Sequence, residues 1–154
     1  MARSIATETA VGRTELLDFI RPRNHWVLGT TRRDGRVQLS PVTGGVAPGG
    51  SLVVATYPER DKTHNARRNP DVTVCVLSDD FGGPWVQVDG SALVSDMPEA
   101  EDGLVEYFRC IAGEHPDWVE YREAMRTQDK SLITITIDRW GPIATGGFPP
   151  RLAD

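Results

Sequence analysis

The stretch "HWVLGTTRRDGRVQLSPVTGGV" (residues 25–46) decides the fold. "HWVLGTT" is rich in β-branched and aromatic residues and reads as a strand. Asp34-Gly35, within "RRDGR", is a strong hairpin signal because glycine accepts the positive φ that tight turns demand. "VQLSPVTGGV" is then the returning strand, and Pro41, which has no N–H to donate, marks an edge or a bulge. A second turn at "PGG" (48–50) leads to a third strand, "SLVVATY" (51–57). Turns this short leave no room for crossover helices, so the three strands are antiparallel neighbours.

Outward from this core the pattern continues. "ELLDFI" (15–20) forms a short helix capped by Thr14, with Leu16, Leu17, Phe19 and Ile20 on its apolar face, and Pro22 stops it. Thr63–Arg68 is a short helix closed by Asn69-Pro70. "DVTVCVLSD" (71–79) is a fourth strand. "FGGP" turns the chain into a long fifth, "WVQVDGSALVSD" (85–96), where Gly90 suggests a bulge. Pro98 opens a helix running through "EAEDGLVEYFRCIAG". "PDWVEYREAM" (116–125) is another, with Trp118, Tyr121 and Met125 at i, i+3 and i+7. "SLITITID" (131–138) is the last strand. Residues 1–12 read as a loose tail and residues 141–154 as a Gly/Pro-rich one. The expected fold is one domain over 1–154, mainly β: about six mostly antiparallel strands in a barrel, with short helices packed outside.

The bulk properties restrict the function. The chain is 39% hydrophobic and 25% charged, with no apolar run near the roughly 18 residues of a membrane helix. The first residues lack the apolar centre of a signal peptide, so the expected location is cytoplasmic. Cys75 and Cys110 lie in strand-like and helix-like runs and read as reduced packing residues. The net charge is −5, yet residues 1–77 carry 11 Lys/Arg against 7 Asp/Glu, and residues 78–154 carry 6 against 15. An acidic chain of pI 5.2 is a poor non-specific nucleic-acid binder. Its local basic cluster suits a small anion better. No Walker A loop, GxSxG, HExxH, CxxC or GxGxxG is present, and His25, His64 and His115 are far apart. Neither a metal site nor a catalytic side chain is assigned.

Three stretches remain as site candidates. In "ERDKTHNARRNP" (59–70), residues 60–68 hold four Lys/Arg, one His and one Asp. One reading is a solvated helix with surface arginines. The other is an anion site: Arg60, Lys62 and Thr63 sit where a strand gives way to a helix, whose free N–H groups favour phosphate or carboxylate. Asn65 falls in the first turn as a cap or a ligand contact. In "QLSPV" (38–42), Gln38, Ser40 and Val42 share one strand face, directed either at solvent or at a ligand. In "PWVQVDG" (84–90), Trp85 and Gln87 share a face that offers stacking beside an amide, or packs in a subunit interface.

The order of "VLGTTRRDGRVQLSPV", "LVVATYPERDKTHNARRNPDVTVCV", "WVQVDGSALV" and "YFRCIAGEHPDWVEYREAM" resembles the flavin/deazaflavin-binding split β-barrel family, related to pyridoxamine 5′-phosphate oxidase. The similarity covers roughly residues 14–140. "R-x-K-T-x-N-x-R-R-x-P" (60–70) and "IAGEHPDW" (111–118) are most similar to the actinobacterial branch that uses coenzyme F420. This resemblance implies a homodimer with two cofactor sites at the subunit interface. It places the cofactor phosphate against Arg60, Asp61, Lys62 and Thr63. It places the ring along Gln38–Val42, including Pro41, and along Val53–Thr56, with Trp85–Gln87 supplied by the partner subunit. The implied activity is F420-dependent hydride transfer to a small conjugated or heteroaromatic substrate. FMN-dependent oxidase or reductase chemistry, and non-catalytic flavin or F420 binding, are the alternatives. The extended arginine motifs of the oxidase are not evident in this chain.

Overall fold

The computed structural model describes residues 3–153; Met1, Ala2 and Asp154, which belong to the two expected tails, lie outside the described residues. The elements are β1 (Thr7–Thr9), α1 (Arg13–Ile20), β2 (His25–Thr31), β3 (Val37–Val46), β4 (Leu52–Thr56), α2 (Asp61–Arg68), β5 (Asp71–Val76) and β6 (Val86–Ser95). They are followed by α3 (Glu101–Ala112), α4 (Trp118–Gln128), β7 (Ser131–Trp140), β8 (Ile143–Thr145) and a 3₁₀ turn at Pro150–Leu152. Six strands close an antiparallel barrel in the order β2-β3-β4-β7-β6-β5.

The hairpin forms as the sequence predicts. Gly35 sits at φ 86°, Arg32 N–H donates to Arg36 O at 2.8 Å, and Asp34 Oδ1 accepts from Arg36 N–H. β2 pairs with residues 37–43 of β3, whereas β4 pairs only with 44–46. Pro41 therefore lies on a stretch with one free edge, where its missing N–H costs no ladder bond. Gly90 lies at the β6–β7 register shift after Asp89.

Four expectations need correction. The segment 1–12 is not a loose tail throughout: Thr7–Thr9 pairs antiparallel with Ile143–Thr145, and Ile5 bridges Phe148. The chain ends thus form a two-stranded clasp, β1 with β8, beside the expected six-stranded barrel. Thr14 is not the cap of α1, which starts at Arg13, two residues earlier than expected, with Gly12 at the N-cap and no side-chain cap. The helix at 63–68 begins at Asp61, and the one expected from Pro98 begins at Glu101.

Two apolar clusters hold these elements. Trp26, Leu28, Leu52, Val54, Val74, Val76, Val86, Val88, Ile133 and Ile135 fill the barrel, and Leu16, Leu17 and Ile20 of α1 close it. A second cluster packs Leu104 and Val105 of α3 and Tyr121 and Met125 of α4 against Val53 and Leu132. The segments Leu52–Val54 and Ser131–Ile133 are consequently buried on both faces, and their sequences read as apolar runs instead of strict alternation.

Asp96, at the end of β6, ties three elements together. Arg67 Nη2 donates to both its oxygens at 2.5 and 2.6 Å, and Ser131 Oγ donates to Oδ1 at 2.5 Å. The Ser131 hydrogen bond first, then the Arg67 guanidinium, hold its carboxyl below the usual carboxylate range. A carboxyl whose folded pKa is depressed stabilises the fold above its unfolded pKa of about 3.9 and loses that contribution as pH falls through the folded value. Asp96→Asn is expected to lower the urea midpoint at pH 7. The gap to wild type should close as the pH drops below about 4. A gap independent of pH would show that the carboxylate charge contributes nothing.

Candidate cofactor site

The β4–α2 corner builds the first part of the site. Arg60 is the N-cap, and its carbonyl accepts from Thr63 N–H at 3.0 Å and His64 N–H at 3.1 Å. The N–H groups of Asp61 and Lys62 have no partner among the described residues. Asp61 complements the positive end of the helix. Lys62 is half-buried and forms no ion pair among the described residues. Desolvation first, then the neighbouring Arg60 cation, lower its pKa from the ordinary lysine value, with Asp61 opposing. An unpaired, partly desolvated cation beside free amides is an arrangement that an anion relieves.

The other expected residues divide into two kinds. Thr63 is fully buried: its hydroxyl donates to Tyr57 O at 2.8 Å and meets Thr56 Oγ1 at 3.0 Å. Thr56 is also buried, so both hydroxyls fasten α2 to β4 and neither faces solvent. Asn65 is buried too. Its Nδ2 donates to Thr30 Oγ1 at 3.1 Å and Gln38 Oε1 at 3.0 Å, while Oδ1 accepts from Arg68 at 2.7 Å. Arg67 is held by Asp96, away from this corner. Arg60 lies over the Tyr57 ring, 5.5 Å from its centroid.

The register shows which face each strand residue uses. Trp26 is opposite Val42, Leu28 opposite Ser40 and Thr30 opposite Gln38. Gln38, Ser40 and Val42 therefore point to the barrel side with the core. Pro41 and its neighbours Val37 and Leu39 point outward, and these two apolar side chains are 60% and 68% exposed. Ser40 Oγ is buried without a hydrogen-bond partner among the described residues, a group that normally has one. Trp85 and Gln87 lie on the outer face, since Val86 and Val88 between and beside them are buried. One chain thus brings Gln38 together with Asp61 and Asn65 but leaves Trp85 and Gln87 on the opposite side of the barrel wall.

Sequence reasoning missed two residues at this corner. Arg32 and Arg33, read only as hairpin residues, reach α2 and line a recess of about 440 Å³ with Asp61, His64, Asn65 and Arg68. The signal was their doubling at the tip of the hairpin, but its meaning depends on β3 carrying that tip to α2. Neither arginine has an ion-pair partner among the described residues. An outer cleft of similar size, about 440 Å³, runs over Val27, Val37, Leu39, Thr73, Cys75 and Gln87. Burial raises the Cys75 thiol pKa, which keeps it protonated and unreactive. No three His, Cys, Asp or Glu side chains among the described residues converge as a metal-ligand set.

Residues 13–144 match the family model described as pyridoxamine 5′-phosphate oxidase. The chain belongs to the pyridoxamine 5′-phosphate oxidase family. This is the split-barrel, flavin-binding fold that the motif order implied. A conserved hypothetical protein from Mycobacterium tuberculosis superposes with a TM-score of 0.73 at 20% identity, covering 91% of this chain and 89% of that one. A structure described as F420 reductase superposes at 0.60 with 20% identity, covering 86% and 98%. A heme-binding protein from Mycobacterium smegmatis gives 0.62 at 18% identity, covering 86% of this chain and 54% of that one. At these identities the superpositions establish the shared barrel, and a shared fold does not fix a ligand. No helix among the described residues is long and apolar enough to cross a membrane.

Proposed function

We propose that this member of the pyridoxamine 5′-phosphate oxidase family is an F420-dependent oxidoreductase. It would transfer a hydride between the deazaflavin and a small conjugated or heteroaromatic substrate. One observation carries the reading: Lys62 and the free amides of Asp61 and Lys62 lie on the same helix as a recess lined by Arg32, Arg33, His64 and Arg68. A single phosphate, as in FMN, needs only the first of these. F420 carries a phosphate and a chain of carboxylates, and so matches the surplus of cations. The motif resemblance at 60–70 and the fold shared with an F420 reductase support the same choice. FMN is the second reading, because the family's flavin chemistry is shared.

The residues present fit such a group. Lys62 and the α2 amides would hold the phosphate. Gln38 and the unpartnered Ser40 Oγ offer polar contacts to the edge of a ring beside β3. Bound F420 supplies an obligate two-electron carrier, so the protein's share is orientation and exclusion of water. For Trp85 and Gln87 to reach a ligand held at the β3–α2 corner, a second copy must provide them. The exposed Val37 and Leu39 face is the apolar surface on which that homodimer would form.

The test is titration with F420 and, separately, FMN at two salt concentrations, using cofactor fluorescence. Salt-sensitive F420 binding with weak FMN binding is expected. Lys62→Ala should weaken F420 by about 1.5–3 kcal/mol, roughly 10- to 150-fold, if the ammonium makes a charge-assisted bond. Unchanged affinity in that variant would remove Lys62 from the site, and preferential FMN binding would move the protein to the flavin branch.

A further inference from the structure

One buried side chain decides what Gln38 can offer a ligand. Asn65 of α2 is 5% exposed and bridges the cross-strand pair Thr30–Gln38 of β2 and β3. Its Nδ2 donates to Thr30 Oγ1 at 3.1 Å and to Gln38 Oε1 at 3.0 Å, which uses both hydrogens. Its Oδ1 accepts from Arg68 Nη2 at 2.7 Å.

The direction of this chain of bonds is fixed. A guanidinium carries donors only, so the Asn65 atom that meets Arg68 has to be the oxygen. The amide nitrogen is then the end that meets Thr30 and Gln38. The Thr30 hydroxyl can accept or donate and imposes no choice. Gln38 has no such freedom: its NH2 group in place of Oε1, 3.0 Å from another NH2, would leave two donors facing each other in a buried place. Gln38 therefore spends its oxygen on Asn65. Its Nε2, which has no partner among the described residues, is the end that remains for a ligand.

We propose that Asn65, anchored by Arg68, is a positioning residue that sets Gln38 as a hydrogen-bond donor, so that the β3 side of the site selects a ligand edge bearing carbonyl acceptors. The ligand half of this inference rests on the cofactor reading, because the dione edge of a deazaflavin or flavin ring carries such carbonyls. The orientation of the amide rests on the three hydrogen bonds alone. Asn65 itself need not touch the ligand, since both ends of its amide are already engaged.

Side-chain amide hydrogen exchange, followed by heteronuclear NMR on the ligand-free full chain, reads the orientation. The Asn65 NH2 should exchange slowly and the Gln38 NH2 fast. Asn65→Asp keeps an acceptor for Arg68 but replaces the donor with an oxygen, so Gln38 has to turn over and donate to it. Its NH2 exchange should then slow roughly tenfold, a reversal that a packing role for Asn65 would not produce. Slow exchange at Gln38 in the wild type, or no slowing in Asn65→Asp, would overturn the proposal, and the wild-type measurement decides even if the variant fails to fold. The ligand half is read by a double-mutant cycle in F420 affinity. Asn65→Asp should weaken F420 about tenfold where Gln38 is present and no more than about twofold where Gln38→Met has removed the amide; the added charge is common to both backgrounds and cancels. Equal losses in the two backgrounds would show that Asn65 does not act through Gln38. FMN shares the dione edge, so the cycle is repeated with FMN. Binding of neither cofactor would remove the cofactor reading, and the carbonyl selection with it, whereas the exchange result would still decide the orientation of Gln38.

Discussion

Trp26→Ala is expected to destabilise the protein by about 3–5 kcal/mol, a large share of the roughly 5–15 kcal/mol that holds an ordinary domain folded. Trp26 is 1% exposed, the largest fully buried side chain, and lies at the crossing of β2 with the glycines of β3. Its ring fills the barrel end, and its indole N–H donates to Arg23 O at 2.7 Å. Truncation opens a cavity too large for the barrel to collapse into and strands that carbonyl. Urea unfolding at pH 7 measures the loss. A deficit below about 1.5 kcal/mol would mean that neighbours refill the space.

Gly44→Ala attacks the same contact from the other side, with an expected cost of roughly 3 kcal/mol. A Cβ at Gly44 would stand 2.2 Å from two carbons of the Trp26 ring, a rigid and almost fully buried side chain that must shift to admit it. Neighbouring Gly45 is constrained similarly, by Cys110 Cβ at 2.7 Å. The two substitutions are coupled by design. Gly44→Ala combined with Trp26→Leu should cost clearly less than the sum of the singles, because the smaller side chain vacates what the new methyl needs. Additive losses in that double-mutant cycle would show that Gly44 is required for its backbone and not for the ring above it.

Much of this fold is legible along the chain. Strands β2 and β3 follow from residues 25–46, and Asp34-Gly35 and Pro41 act where their chemistry says they should. The register also follows, since alternation around Gln38, Ser40 and Val42 predicts a shared face. What alternation could not say is which face: Val37 and Leu39 are the more apolar pair, yet they point outward. The clasp was not legible because Thr7–Thr9 has no apolar face of its own and is held only by pairing with residues more than 130 positions away. For the candidate site, residue type along the 60–65 segment did not reveal access. Thr56, Thr63 and Asn65 look like ligand groups and are buried fasteners, whereas Arg32 and Arg33 look like turn residues and point into the recess. Which polar side chains are already satisfied is a property of tertiary packing, and spacing along one segment does not encode it.

The place of β7 in the barrel has a consequence for how the protein is made. β7 is the last barrel strand in the chain, and it pairs with both β4 and β6. Until Ser131–Trp140 has left the ribosome, two strands present unpaired backbone at once, and the nascent sheet is open on both sides. Barrel closure joins segments nearly eighty residues apart, a slow kind of contact to form. A stalled or truncated chain lacking this one strand is a template for intermolecular pairing, not a smaller version of the folded protein.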